Sequence, residues 1–230
     1  MNPGDQQADD LTPPLRSDAE RNRERVLAAA RTVFARDGLG ASMASVAREA
    51  GVGIATLFRR FPAKEDLVAA VFADRMDAYV DAVSTALADP DPWHGFTGYL
   101  HTVCAMQAAD RGFADVLTMT FPTAKALEAR REEAYDGAVR LIARAKTAGH
   151  LRDDFAPQDL VLLLMATAGV ITATADAAPE AWRRTLALMI QSFQAPARDP
   201  LPAPPTNTAL YRAMISLGRT CSAPRESAGS

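Results

Sequence analysis

The chain has 230 residues, 48% of them hydrophobic and 23% charged, with a formal charge of −3. This suits one or two globular domains with a real core. Its two cysteines, Cys104 and Cys221, lie far apart and outside any CxxC pattern. That excludes a disulfide framework or a zinc cluster and fits a reducing cytoplasm. The polar, acidic start from Met1 to Leu15 excludes a signal peptide. The longest apolar run, Leu160 to Ile171, falls short of the roughly 20 residues of a membrane span and predicts a buried core helix instead.

Alanine and leucine are common and strand-forming runs scarce, so an all-α protein is expected. Residues 1–16 show no periodicity and read as a disordered arm, which sets the first boundary at 1–17. A first helix is predicted over 19–37, with Val26, Leu27, Ala30, Val33 and Phe34 on one face and Gly38 as its stop. Ser42 can cap a second helix over 43–50, ended by Gly51. A third is predicted over 54–61, and a long fourth over 63–88 with Pro62 at its start. The break Asp89-Pro90-Asp91-Pro92 is followed by helices over 93–110, 112–120 and 123–148. The apolar helix spans 157–175 and the next 180–194. A Pro-rich linker then leads to a short helix over 207–217 and a tail.

Charge is unevenly shared. Residues 16–64 hold ten basic and five acidic side chains, a net of +5, against −8 for the rest of the chain. A basic end on an acidic body is the asymmetry expected of a protein that meets phosphate with one end.

The run Ser42 to Leu67, SMASVAREAGVGIATLFRRFPAKEDL, joins two short helices at Ala50-Gly51-Val52-Gly53. Gly51 can take a positive φ, and Val46, Ala47, Ala50, Val52 and Leu57 can form the small core that fixes the corner. The second of these helices opens on Gly53, Ile54 and Ala55, of which the small Gly53 and Ala55 allow close approach to a major groove. Thr56 offers a hydroxyl and a methyl to a base edge. Phe58, Arg59 and Arg60 follow on the same helix, and Ser42 stands at the start of the preceding one. Lys64, at the start of the long helix, is placed where a helix dipole and free N–H groups favour phosphate.

Val46-Ala47, Ala50-Gly51-Val52, Thr56-Leu57-Phe58, Phe61-Pro62, Lys64-Glu65 and Leu67, preceded by Phe34-Ala35-Arg36-Asp37-Gly38, resemble the TetR family of repressors over about residues 20–67. The resemblance implies a helix-turn-helix DNA-binding domain (18–66), a helical ligand-binding and dimerisation domain (67–195) and an extra linker, short helix and tail (196–230). It further implies a homodimer on a near-palindromic duplex operator, released by a small-molecule effector. Two positions depart from the family pattern. Phe58 stands where the family usually has a tyrosine whose hydroxyl touches phosphate, and Gly53 stands where it often has serine.

No GxSxG, P-loop, HExxH or GxGxxG occurs, so no enzyme or cofactor is expected. His101 and Cys104 have metal-ligand spacing on one helix, but two ligands do not make a site, and no metal is expected. Aromatic and methionine residues concentrate in the middle of the chain, where the resemblance puts the ligand. The expected lining is Phe96, Tyr99, Leu100, Val103, Met106, Phe113, Met119, Phe121 and Tyr135, suited to an apolar or amphipathic effector. The helix over 157–175 is apolar nearly all round and needs a second partner. With the next helix it supplies the expected dimer interface: Leu162, Ala166, Gly169, Val170, Ala173, Trp182, Leu186, Met189 and Phe193. The resulting reading is a cytoplasmic repressor with no membrane partner. A helical binding protein or enzyme with a non-functional head, and a DNA-binding regulator without effector, are the alternatives.

Overall fold

The computed structural model describes residues 14–222, which form ten helices. These are α1 (Pro14–Asp37), α2 (Met43–Glu49), α3 (Ile54–Arg60), α4 (Lys64–Ala88), α5 (Pro92–Ala109), α6 (Arg111–Thr118), α7 (Lys125–Thr147), α8 (Pro157–Thr174), α9 (Ala181–Phe193) and α10 (Asn207–Ser222). Extended pairing among them is limited to one antiparallel bridge, Leu151 with Gln194. The expected all-α class and the N-terminal helix-turn-helix followed by a helical body are what the chain adopts.

Two boundaries differ from the sequence reading by more than two residues. α1 starts at Pro14, inside the stretch expected to be a disordered arm; the remainder of that arm, 1–13, lies outside the described residues. Proline is tolerated in a first turn because its missing N–H would have no helical partner there. α10 continues past Gly218 to Ser222, where a tail was expected. Leu210 and Met214, four residues apart, are both buried, so packing of one face sustains the helix.

The core runs through α4, α5 and α7. Gly137 on α7 lets α7 cross α4 closely, since an added Cβ would stand 2.1 Å from Val83 Cγ1. An aromatic ladder ties α1 to the body: Phe34 on α1, Phe72 on α4 and Phe113 on α6 follow one another at centroid distances of 6.2 Å. Each of these rings is almost fully buried. α1 therefore rests on α4 and α6, while α2 packs on α1 and α3 on α2.

Candidate nucleic-acid interface and internal cavity

The corner between α2 and α3 is built locally. Ser42 Oγ accepts from Ser45 N–H at 3.1 Å and caps α2. At the other end Gly51 N–H donates to Arg48 O and Val52 N–H to Ala47 O, the paired bonds of a Schellman stop. Gly51 has φ +64°, the left-handed region that disfavours side chains. Gly53 then opens α3 in extended backbone, without a side-chain cap. Val46, Ala47, Ala50 and Leu57 are buried beneath the corner and Val52 is half-buried, forming its expected small core.

Leu57 is the one buried residue of α3. Gly53, Ile54, Ala55, Phe58, Arg59 and Arg60 are exposed and Thr56 is half-buried, so the helix offers nearly all its surface outward. Ile54 and Phe58 are large apolar groups left 42% and 45% exposed. The two arginines differ. Arg60 lies 3.8 Å from Glu20 on α1, whereas Arg59 forms no ion pair among the described residues. Ser42, expected at the same surface, is exposed but spends its hydroxyl on the α2 cap.

Lys64, expected to face phosphate, stands at the first turn of α4. Its Nζ donates to the carbonyl of Leu39, in the turn between α1 and α2, and the side chain is half-buried. Leu39 N–H in turn donates to Asp115 Oδ2 on α6 at 2.7 Å. Leu39 is buried, so both backbone groups need partners within the protein, and Lys64 and Asp115 supply them. Burial pushes the Asp115 carboxyl up, opposed by the Leu39 bond and by Arg111 and Lys64 nearby. The amide of Ala63 donates to Asp66 Oδ2, so the start of α4 is capped from within.

α6 is gripped from its other side as well. Arg131 on α7 donates to the carbonyls of Val116 (2.6 Å) and Leu117 (3.3 Å), which end α6 without helical partners. Glu128 accepts from Arg131 Nε and from Phe121 N–H. This pair borders a cavity of about 280 Å³ between α4, α6, α7 and α8, lined by Tyr79, Leu117, Glu128, Arg131, Glu132, Tyr135, Leu160, Val161 and Leu164. Tyr79 accepts a hydrogen bond from Tyr99 at 3.0 Å, and burial raises the pKa of both phenols.

Of the nine residues expected to line a ligand site, Tyr135 alone borders this cavity. Phe96 packs edge-on against Phe155, Phe113 joins the ladder to Phe72, and Tyr99 stacks on Tyr79. These three, with Leu100 and Val103, are buried core, and Met106 is half-buried. Met119 and Phe121 instead flank a narrow crevice at the junction with Leu39, Lys64 and Val68. The charged Glu128, Arg131 and Glu132 were missed. The signal for the first two was an i,i+3 ion pair on the helix that also carries Tyr135. The described residues hold no cluster of three or more His, Cys, Asp or Glu fit for a metal. His101 is exposed, whereas Cys104 is buried against Thr167 and burial pushes its thiol up to about 11.

On α8, Leu162, Ala166, Gly169 and Ala173 are exposed and Val170 half-buried; only 22% of this 18-residue helix is buried although its mean hydropathy is 1.4. On α9 the picture divides. Met189 and Phe193 are half-buried at the surface, but Trp182 and Leu186 are 2% and 0% exposed and belong to the chain's own core. They stand four residues apart on the inward face of α9, where α5 and α8 cover them. Leu188, 57% exposed, is the outward apolar residue that the sequence reading missed.

Comparison with known proteins follows this division. Residues 26–71 match the profile of bacterial regulatory proteins of the tetR family, and residues 91–194 that of the SbtR-like transcriptional regulator C-terminal domain. An HTH-type transcriptional regulator of Staphylococcus aureus (strain USA300) is 36% identical over 67 residues, which are 29% of this chain and 36% of that protein. The chain thus spans about a third of the length of the curated relatives it matches. A TetR regulatory protein of Mycobacterium vanbaalenii is 31% identical, covering 79% of this chain and all of that one, with a TM-score of 0.45. The transcriptional regulator FadR of Bacillus subtilis, solved with stearoyl-CoA, shares the fold at 14% identity and a TM-score of 0.56, over 74% of this chain and 99% of its own. With its helix-turn-helix and its helical body each matched in turn, the chain belongs to the TetR family of DNA-binding transcriptional regulators.

Proposed function

We propose that the protein is a homodimeric repressor that leaves its operator when a small molecule fills the cavity between α4, α6, α7 and α8. Each subunit presents α3 to a major groove. Ile54, Ala55, Thr56 and Phe58 approach base edges, and Arg59 and Arg60 carry the positive field. Gly53 keeps the backbone close, and Ser42 holds the helix before it. Lys64 acts as a brace of the α1–α2 turn and not as the phosphate contact. The outward face of α8 with Leu188, Met189 and Phe193 of α9 pairs with a second copy. Exposed Leu162, Ala166, Gly169 and Ala173 give a flat apolar strip that suits close helix approach.

The observation that carries this reading is the position of α6. Leu117 on this helix lines the cavity, and Asp115, two residues earlier, holds the backbone of Leu39 beneath α2. A ligand that displaces Leu117, or draws Arg131 and Glu128 from the end of α6, acts on a helix fastened directly to the reading head. Release then follows if the ligand binds the shifted arrangement more tightly, as linkage requires. The bound stearoyl-CoA of the Bacillus subtilis FadR supports a ligand-binding body on this fold.

The test is Asp115→Ala. It leaves a buried N–H unpaired, at a cost of about 1–3 kcal/mol in stability. Operator affinity of the folded variant should stay within about threefold of wild type, while an effector found by thermal shift should no longer weaken it. If the variant is folded and still released fully, α6 does not carry the coupling.

A further inference from the structure

A second hollow, largely open to solvent, adjoins the cavity. It measures about 460 Å³ and lies between α7, α8 and α10, lined by Tyr135, Val161, Asn207, Thr208, Leu210 and Tyr211. Tyr135 and Val161 border both spaces, so one tyrosine and one valine form their common wall. The roof is α10, which lies beyond the segment matched by the C-terminal profile. It is fastened at its start by Gln158 Nε2 donating to Asn207 Oδ1 at 2.6 Å, and along its length by buried Leu210 and Met214. The linker before it is pinned too: Arg152 pairs with Asp154 and donates to the carbonyl of Asp199, and Asp154 accepts from Leu201 N–H. α10 is therefore held over this hollow from both its start and its linker.

The charges around the two spaces are one-sided. The outer lining contains no acidic or basic side chain. The inner lining has one cation, Arg131, whose guanidinium is spent on Glu128 and the carbonyls of Val116 and Leu117. Glu132 lies at the same rim, exposed, and forms no ion pair among the described residues. A ligand anion would meet a surplus carboxylate at the rim and no available cation in the lining of either space.

We infer that the two hollows form one elongated site, roofed by α10, for an uncharged or cationic amphiphile long enough to pass Tyr135 and Val161. This rests on the reading of the inner cavity as the effector site and deepens it. Tyr79 already accepts from Tyr99, so its own hydroxyl proton is free to meet a ligand oxygen, and Asn207, Thr208 and Tyr211 offer polar contacts at the far end.

The experiment measures binding of para-ethylphenol, para-octylphenol, para-octylbenzylamine and para-octylbenzoate to the full chain by calorimetry. The octyl chain should tighten phenol binding by about tenfold or more, since each buried methylene contributes. The benzylamine should match or exceed octylphenol, and the benzoate should bind about tenfold more weakly than octylphenol. Thr208→Trp, at an exposed position on the hollow's rim, should remove the octyl gain and leave para-ethylphenol unchanged. Leu210→Ala, which cuts back the roof, should weaken only the octyl compounds. An octyl gain that survives both variants, a benzoate that binds best, or no binding by any of the four overturns the inference. If the length and charge preferences hold but no compound lowers operator affinity, the elongated site stands and the sensing reading falls.

Discussion

Gly169→Arg should yield a folded monomer that has lost operator binding. Gly169 is exposed in the middle of α8, and an added Cβ there meets nothing within 4 Å. The arginine therefore fits the isolated subunit, and replacing a mid-helix glycine favours the helix by roughly 0.5–1 kcal/mol. In a dimer closed by α8 and α9, however, it places a charge in an apolar seam with no partner. Such a buried charge costs several kcal/mol, enough to shift dissociation by a thousandfold or more. Two reading heads held together also bind far more tightly than one, so operator affinity should fall with the dimer. Sedimentation and operator titration on the same sample check this. A variant that remains dimeric, or a monomeric wild type at micromolar concentration, excludes α8 as the seam.

The second large effect separates two cations that the sequence presents alike. Arg59→Ala should weaken operator binding by about tenfold to a hundredfold, the size of one good base or phosphate contact, with no change in thermal stability. Arg59 is exposed and forms no ion pair among the described residues, so its removal leaves the fold untouched. Lys64→Ala should do the reverse. The carbonyl of buried Leu39 loses its donor, and stability should fall by about 1–3 kcal/mol. Its effect on DNA should follow the loosened α1–α2 turn and leave the salt dependence of binding close to wild type. Denaturation and operator titration at several salt concentrations distinguish the two. If Lys64→Ala keeps full stability and flattens the salt slope, its amine faces phosphate as the sequence suggested.

The contrast between these residues shows what the sequence could carry. The helix-turn-helix was legible because it is local: Ser42, Gly51 and Leu57 each do their work within a few residues of themselves. Most helix limits were legible for the same reason, set by the Asp89-Pro90-Asp91-Pro92 break before α5 and by Gly38 after α1. The partner of an apolar stripe was not. Trp182 and Leu186 form a good helical face, but only tertiary packing decides whether that face meets the chain's own α5 or another copy. The cavity was hidden on the same grounds, because Tyr79, Leu117, Arg131 and Leu160 come from four helices and meet only in the folded body. The mid-chain aromatics drew attention as the largest apolar groups. Large rings fill space, and Phe96 and Phe113 close the core around the cavity without lining it. Asp115 did leave a trace, as a carboxylate set in Gly-Phe-Ala-Asp-Val-Leu, but its partner Leu39 stands 76 residues away.

The central claim is that α3 reads duplex DNA as one half of a two-fold pair, and selection of bound duplexes from a random pool tests it most directly. The account predicts enrichment of an inverted repeat whose half-sites lie one helical turn, about 34–36 Å, or a multiple of it apart, with enrichment weakened in Arg59→Ala and lost in Gly169→Arg. Recovery of no preferred sequence, or of a single unrepeated site bound equally well by the Gly169→Arg monomer, would contradict it.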